Sequence, residues 1–173
     1  ASEILHLDLK PANVLVAEDG TPWLTDFGIA KSTATAGATT SKGASGTIPY
    51  MSPERFRGRR QGGPLKTKAA DVYSFAVLSW TVMTGQQPWD GEDEEGIKED
   101  VKDGLRPGEV AAGGADWRDA PDVVATGLAA LIEACWAQDH EVRPTMLAVC
   151  DTLDDLGTAR FLPDVDLAAA ARS

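Results

Sequence analysis

The stretch from His6 to Gly28, HLDLKPANVLVAEDGTPWLTDFG, holds the side chains best suited to chemistry. Asp8, Asn13 and Asp26 supply oxygen donors within a short span, and Lys10 sets a cation beside them. Oxygen donors suit a hard divalent cation, whereas softer ions favour histidine and cysteine. Taken singly, either aspartate would serve equally well as a turn cap; taken as a set, they call for a common site.

The elements that must position this set follow from pattern. Residues Val14–Ala17 and Trp23–Thr25 read as two short strands joined by a turn at Asp19-Gly20, so the acidic residues are expected on a tight β-ribbon. From Lys31 to Gly46, KSTATAGATTSKGASG has no apolar period and reads as a long loop. RFRGRRQGGPLK is a second, basic loop. AADVYSFAVLSWTVMTG then reads as a helix, apolar nearly all round and hence buried, with its stop at Gly85. VVATGLAALIEACWAQD and PTMLAVCDTLDDLG complete the set as helices, the second opened by Pro144 and closed by Gly157. The expected fold is therefore mainly α, with one short β-ribbon ahead of the helices. Residues 1–160 form the domain, and residues 161–173 are a tail.

A chain of 173 residues, 43% hydrophobic and 25% charged, is sufficient for one sizeable core. No run approaches the roughly 18 apolar residues of a membrane span, and ASEILHLDLK lacks a leader's basic-then-apolar layout. A soluble, cytoplasmic chain without a membrane partner is expected. Cys135 and Cys150 have no CxxC spacing, so they read as small core residues rather than as a disulfide or zinc site. Residues 1–90 hold nine basic and eight acidic side chains, and residues 91–173 hold seven and nineteen, for a net charge of −11. That balance speaks against a nucleic-acid partner. The acidic DGEDEEGIKED reads as a solvated helix face or loop.

Taken in order, HLDLKPAN, DFG, the Ser/Thr-rich loop, GTIPYMSPE, DVYSF and RPT resemble the C-terminal lobe of eukaryotic-type protein kinases, from His6 to about Leu156. The resemblance implies a kinase-like C-lobe that uses ATP and Mg2+ and acts on protein substrates. It implies that Asp8 orients the substrate hydroxyl, Lys10 steadies the γ-phosphate, and Asn13 and Asp26 hold magnesium. Leu15 is similar to the apolar floor beneath adenine, with a plain core leucine as the competing reading. His6 and Phe27 resemble a packing pair, and Glu54 and Arg143 a buried structural ion pair. Asp71 resembles the acceptor of backbone N–H groups from the catalytic loop; a helix N-cap is its other reading. Lys10 in DLKPAN and Thr47 in GTIPY, which would bridge Asp8 and Lys10, are similar to the serine/threonine-specific pattern. SWTVMTGQQPW and CWAQDHEVRPT resemble the tyrosine-kinase-like branch. The basic run Arg55, Arg57, Arg59 and Arg60 would favour acidic substrates or simply be a solvated loop.

Two departures from the family pattern stand out. The glycine-rich cover and its lysine strand are absent ahead of His6, so an N-lobe is expected in the full-length protein, and this chain by itself is expected to bind ATP poorly. A pseudokinase or scaffold lobe is the alternative function. A small-molecule phosphotransferase is disfavoured by SPE with Arg143 and by the segment around Tyr50. The other departure is Leu7, which stands where the family's loop arginine would meet a phosphorylated residue. Replacing Ser32, Thr33, Thr35, Thr39, Thr40, Ser41 and Ser45 together by alanine in the full-length protein is therefore expected to leave peptide phosphorylation measurable. Its abolition would show that loop phosphate is the main on-switch.

Overall fold

The computed structural model describes residues 4–27, 31–32, 46–58, 66–110 and 122–158. Six of the seven candidate loop hydroxyls, Arg59, Arg60 and the tail lie outside the described residues. Two antiparallel ribbons come first. Strand β1 (Ile4–Leu5) pairs with β4 (Lys31–Ser32), and β2 (Val14–Val16) pairs with β3 (Pro22–Leu24) with Leu15 opposite Trp23. The β2–β3 turn follows from its residues: Gly20 takes φ 83°, and the Asp19 carboxylate accepts the Thr21 N–H at 2.9 Å. Pro22 opens β3, a strand position that tolerates the missing N–H.

The ribbon differs from expectation in two respects. Asp8 and Asn13 lie on the loop before it and Asp26 lies after it, so the ribbon separates the acidic residues rather than carrying them. Its apolar side chains Leu15, Val16 and Trp23 are exposed, so Leu15 is not part of the core formed by the described residues.

Four α-helices carry the core of the described residues. Helix α1 (Lys68–Thr84) starts at Thr67, whose side chain accepts the Ala70 N–H at 3.2 Å, and ends where Gly85 turns left-handed at φ 66°. Val72, Tyr73, Ala76, Val77 and Trp80 of this helix are buried. Burial does not extend all round, because Val82 in the last turn is exposed.

The acidic stretch folds as α2 (Glu94–Asp103). Asp93 caps it by accepting the Glu95 and Gly96 N–H groups, and Ile97 and Val101, four residues apart, turn one face into the core. The carboxylates of Glu94 and Glu95 suit the positive end of the helix.

Helices α3 (Asp122–Cys135) and α4 (Met146–Thr158) close the core with Leu131, Ile132, Cys135 and Val149. A Cβ on Gly127 would stand 2.6 Å from Leu156, so glycine permits this helix contact. Helix α4 begins two residues after Pro144, with Thr145 accepting the Ala148 N–H, and it runs through Gly157. Cys135 is buried, and burial pushes its thiol up to about 11, but Cys150 is exposed and is not a core residue. No helix among the described residues is long and apolar enough to cross a membrane.

A buried ion pair fastens the helices to the segment before them. Arg143 Nη1 and Nη2 donate to Glu54 Oε1 and Oε2 at 2.8 and 2.9 Å. Arg143 also donates to the carbonyls of Ala69 and Ala137, and it lies 5.1 Å from the centroid of the buried Tyr73 ring. Burial raises the Glu54 carboxyl, but hydrogen bonds and charge from Arg143 outweigh it and hold Glu54 below the usual range. This depressed carboxyl stabilises the fold above the unfolded glutamate range, and the contribution is lost as pH falls through the folded value. Arg143→Met would leave Glu54 buried without its partner. At neutral pH it is expected to cost about 3–5 kcal/mol in urea unfolding, with the gap shrinking as pH falls below the unfolded glutamate range and through the folded Glu54 value. A gap under about 1 kcal/mol at neutral pH would mean that the pair carries little of the stability.

Candidate active site

The site is built on a carboxylate inside α1. Asp71 accepts the His6 N–H at 2.8 Å and the Leu7 N–H at 2.7 Å, one on each oxygen. Burial pushes the Asp71 carboxyl up against these two bonds. Thr67 takes the N-cap position, so Asp71 serves the loop and not the helix end. Leu7 is fully buried with φ 68°, a left-handed conformation that a side chain bearing a Cβ adopts at a cost of roughly 1–2 kcal/mol. The bonds to a charged acceptor offset that cost.

The turn at Leu7 delivers Asp8. Its Oδ1 accepts the Thr47 N–H at 2.9 Å and the Thr47 hydroxyl at 2.7 Å. Its Oδ2 pairs with Lys10 Nζ at 2.9 Å and accepts from Asn13 Nδ2 at 3.2 Å. Burial raises the Asp8 carboxyl, but bonds from Thr47 and Lys10 and the Lys10 charge win and hold it below the ordinary aspartate range. Lys10 also donates to the Thr47 hydroxyl at 2.7 Å, so that hydroxyl bridges lysine and aspartate.

Asn13 ends a short 3-10 turn opened by Pro11. Its Nδ2 donates to the Asp8 carbonyl at 2.8 Å as well as to the carboxylate, while its own carbonyl accepts the Thr25 N–H at 2.9 Å. The Asn13 Oδ1 is thereby left as an oxygen donor with no hydrogen bond from the described residues.

His6 reaches the same neighbours from the other side. Nδ1 accepts the Asp8 N–H at 3.3 Å, and Nε2 donates to the Thr25 carbonyl at 2.9 Å, both satisfied by one neutral tautomer. The Phe27 ring meets the His6 ring edge-on at 5.0 Å. Asp26 therefore sits between two residues tied to the loop that carries His6, Asp8 and Asn13. It has φ 57° and an exposed side chain.

These donors fit a hard ion. Mg2+ is commonly bound through one or two carboxylates and keeps several waters and substrate phosphates in its shell, so Asn13 Oδ1 and the Asp26 carboxylate are a suitable donor pair. No cluster of three or more acidic, histidine or cysteine side chains among the described residues forms an all-protein cage. Two surface depressions among the described residues lie away from Asp8, one lined by Arg106, Glu133 and Trp136, the other by Phe56, Arg57, Lys102 and His140.

Asp8, Lys10, Asn13 and Thr47 thus meet directly. Asp26 and Phe27 are joined to them through Thr25 and His6, whereas Leu15 stands on the exposed ribbon. Glu54 and Arg143 form their own buried pair. Two residues went unnoticed at the sequence level. Thr25 acts through its backbone and leaves no side-chain signal. Gly46 takes φ 134°, and a Cβ there would stand 2.9 Å from the Leu7 carbonyl; its place just ahead of Thr47 was the only cue.

The chain belongs to the protein kinase family: residues 1–153 match the protein kinase domain. Over 159 residues it is 33% identical to a probable LIM domain-containing serine/threonine-protein kinase of Dictyostelium discoideum, covering 92% of this chain and 22% of that protein. It is 35% identical over 158 residues to receptor-interacting serine/threonine-protein kinase 4 of Mus musculus, covering 88% and 19%. A probable serine/threonine-protein kinase PknB of Lactococcus lactis is 39% identical over 94 residues, covering 54% and 14%. The chain spans between 14% and 22% of the length of these curated relatives.

Thr47→Val keeps the shape of the side chain and removes the bridging hydroxyl. It is expected to cost about 1–3 kcal/mol in chemical denaturation at neutral pH, because Asp8 and Lys10 each lose a partner, with Thr47→Ser restoring most of the loss. Equal stability of the valine variant and the parent would show that the bridge is incidental.

Proposed function

We propose that residues 1–160 form the catalytic C-lobe of a serine/threonine protein kinase that transfers the γ-phosphoryl group of ATP to Ser or Thr hydroxyls of protein substrates. The observation that carries this reading is the Lys10–Thr47–Asp8 bridge, which joins the catalytic loop to the segment that would hold the peptide. In this reading the substrate hydroxyl lies against the Asp8 carboxylate. As its oxygen bonds to phosphorus, the bond from phosphorus to the bridging oxygen breaks with its electrons passing to ADP, and the hydroxyl proton passes to Asp8. The loose transition state demands little bond formation to the nucleophile, so an ionised and weakly basic carboxylate suffices to aim the alcohol.

Lys10 places its charge beside the transferred group. Asn13 and Asp26 would hold magnesium, which neutralises charge on the phosphate oxygens when bound. Leu15, 57% exposed, is accessible as an apolar floor for adenine. The exposed Val16 and Trp23 beside it support a further lobe, formed by polypeptide outside this chain, closing over the nucleotide. SWTVMTGQQPW and CWAQDHEVRPT support the tyrosine-kinase-like branch. A cytoplasmic location, where ATP and magnesium are supplied, completes the reading.

The test is transfer from ATP to peptides whose acceptor residue is Ser, Thr or Tyr by the natural full-length protein, with and without Mg2+. Metal-dependent transfer to Ser and Thr is expected, and Asp8→Asn should lower kcat by about 10²- to 10⁴-fold. Absence of transfer under all conditions would favour a scaffold lobe, and transfer to Tyr alone would contradict the specificity.

A further inference from the structure

One buried cation has no part in the chemistry above. Arg55 belongs by sequence to the basic run expected at the surface, yet it is 2% exposed, while its neighbour Arg57 is exposed. A buried guanidinium is tolerated only where opposite charge and acceptors surround it. Burial weakens the hold of Arg55 on its proton, and Asp71, Glu54 and Asp8 act in the opposite sense. Asp71 contributes the largest share of that opposing charge, and Glu54, which Arg143 also engages through both oxygens, and Asp8 add to it.

Its position is specific. Nη1 lies 3.5 Å from the Leu7 carbonyl oxygen, long for a hydrogen bond but close enough for a charge to act on a carbonyl dipole. The guanidinium also packs against Gly46, where a Cβ would lie 3.6 Å from Nη2 and 2.9 Å from the Leu7 oxygen. Leu7 brings no charge of its own and holds a left-handed backbone. Asp71 fixes its N–H, and Arg55 faces its C=O.

We propose that Arg55 is a positioning residue for Asp8, clamping the Leu7 carbonyl and balancing Asp71 and Asp8 so that the turn aiming Asp8 is held from inside the lobe. Only its effect on turnover rests on the kinase reading; the clamp is independent of it.

The test compares Arg55→Lys, Arg55→Met and, as an exposed control, Arg57→Met in the natural full-length protein, by amide hydrogen exchange and by steady-state kinetics. In the Arg55 variants the Leu7 and Asp8 amides are expected to exchange about tenfold faster or more, with α1 and α3 unchanged. The same variants should lose about 10- to 100-fold in kcat with little change in the KM for ATP. Lysine should restore part of what methionine loses, and Arg57→Met should match the parent in Leu7 and Asp8 exchange. If methionine prevents folding, the lysine variant decides alone. Parental exchange at Leu7 and Asp8 in a folded Arg55 variant overturns the proposal, as does equal loosening of α1 and α3. If the parent transfers no phosphate, the kinase reading falls and the exchange data still decide whether the clamp exists.

Discussion

Two backbone N–H groups, those of His6 and Leu7, end on the carboxylate of Asp71 inside α1, and the geometry of the site descends from that contact. It holds Leu7 in a left-handed turn that a leucine would otherwise avoid. The turn presents Asp8 to Thr47, Lys10 and Asn13 at once. Because α1 belongs to the same core as α2, α3 and α4, the aim of the Asp8 carboxylate is set by helix packing rather than by the loop's own preferences.

The buried charges do not all work in one direction. Asp8 is held below its ordinary range by Thr47 and Lys10, and Glu54 by Arg143, so each stabilises the fold at neutral pH and loses that contribution in acid. Asp71 is the opposite case. Burial lifts its carboxyl, so its contribution is greatest in acid and declines as pH rises. The fold therefore keeps a carboxylate that opposes its stability at neutral pH, at a buried place where two backbone donors need a charged acceptor. Features of this kind mark a site rather than a core.

Much of this was legible in the sequence because the chemistry demands particular residue types. Asp8, Lys10, Asn13, Asp26 and Thr47 could be named from their motifs, and the end of α1 from Gly85. Contacts made by the backbone, or by partners distant in sequence, were not legible. Nothing local tells Arg55 from the exposed Arg57; only the folded positions of Asp71 and Asp8 make the difference. Leu15 looks like a core residue because strand pattern and burial usually coincide, and here the ribbon stands away from the helices. Cys150 and Pro144 failed for smaller reasons. A cysteine in an apolar helix faces water as readily as core unless the phase of the helix is known, and Thr145 supplied the cap that the proline suggested.

The Asp71-pinned turn holds Asp8 as a carboxylate in its cradle of donors. A carbon-13 NMR titration of the Asp8 carboxyl in the parent and in Asp71→Asn tests it most directly. A parent midpoint below the ordinary aspartate value of about 3.9, moving upward in the variant, is the predicted result. A parent midpoint at or above that value, or one that Asp71→Asn leaves unmoved, would contradict it.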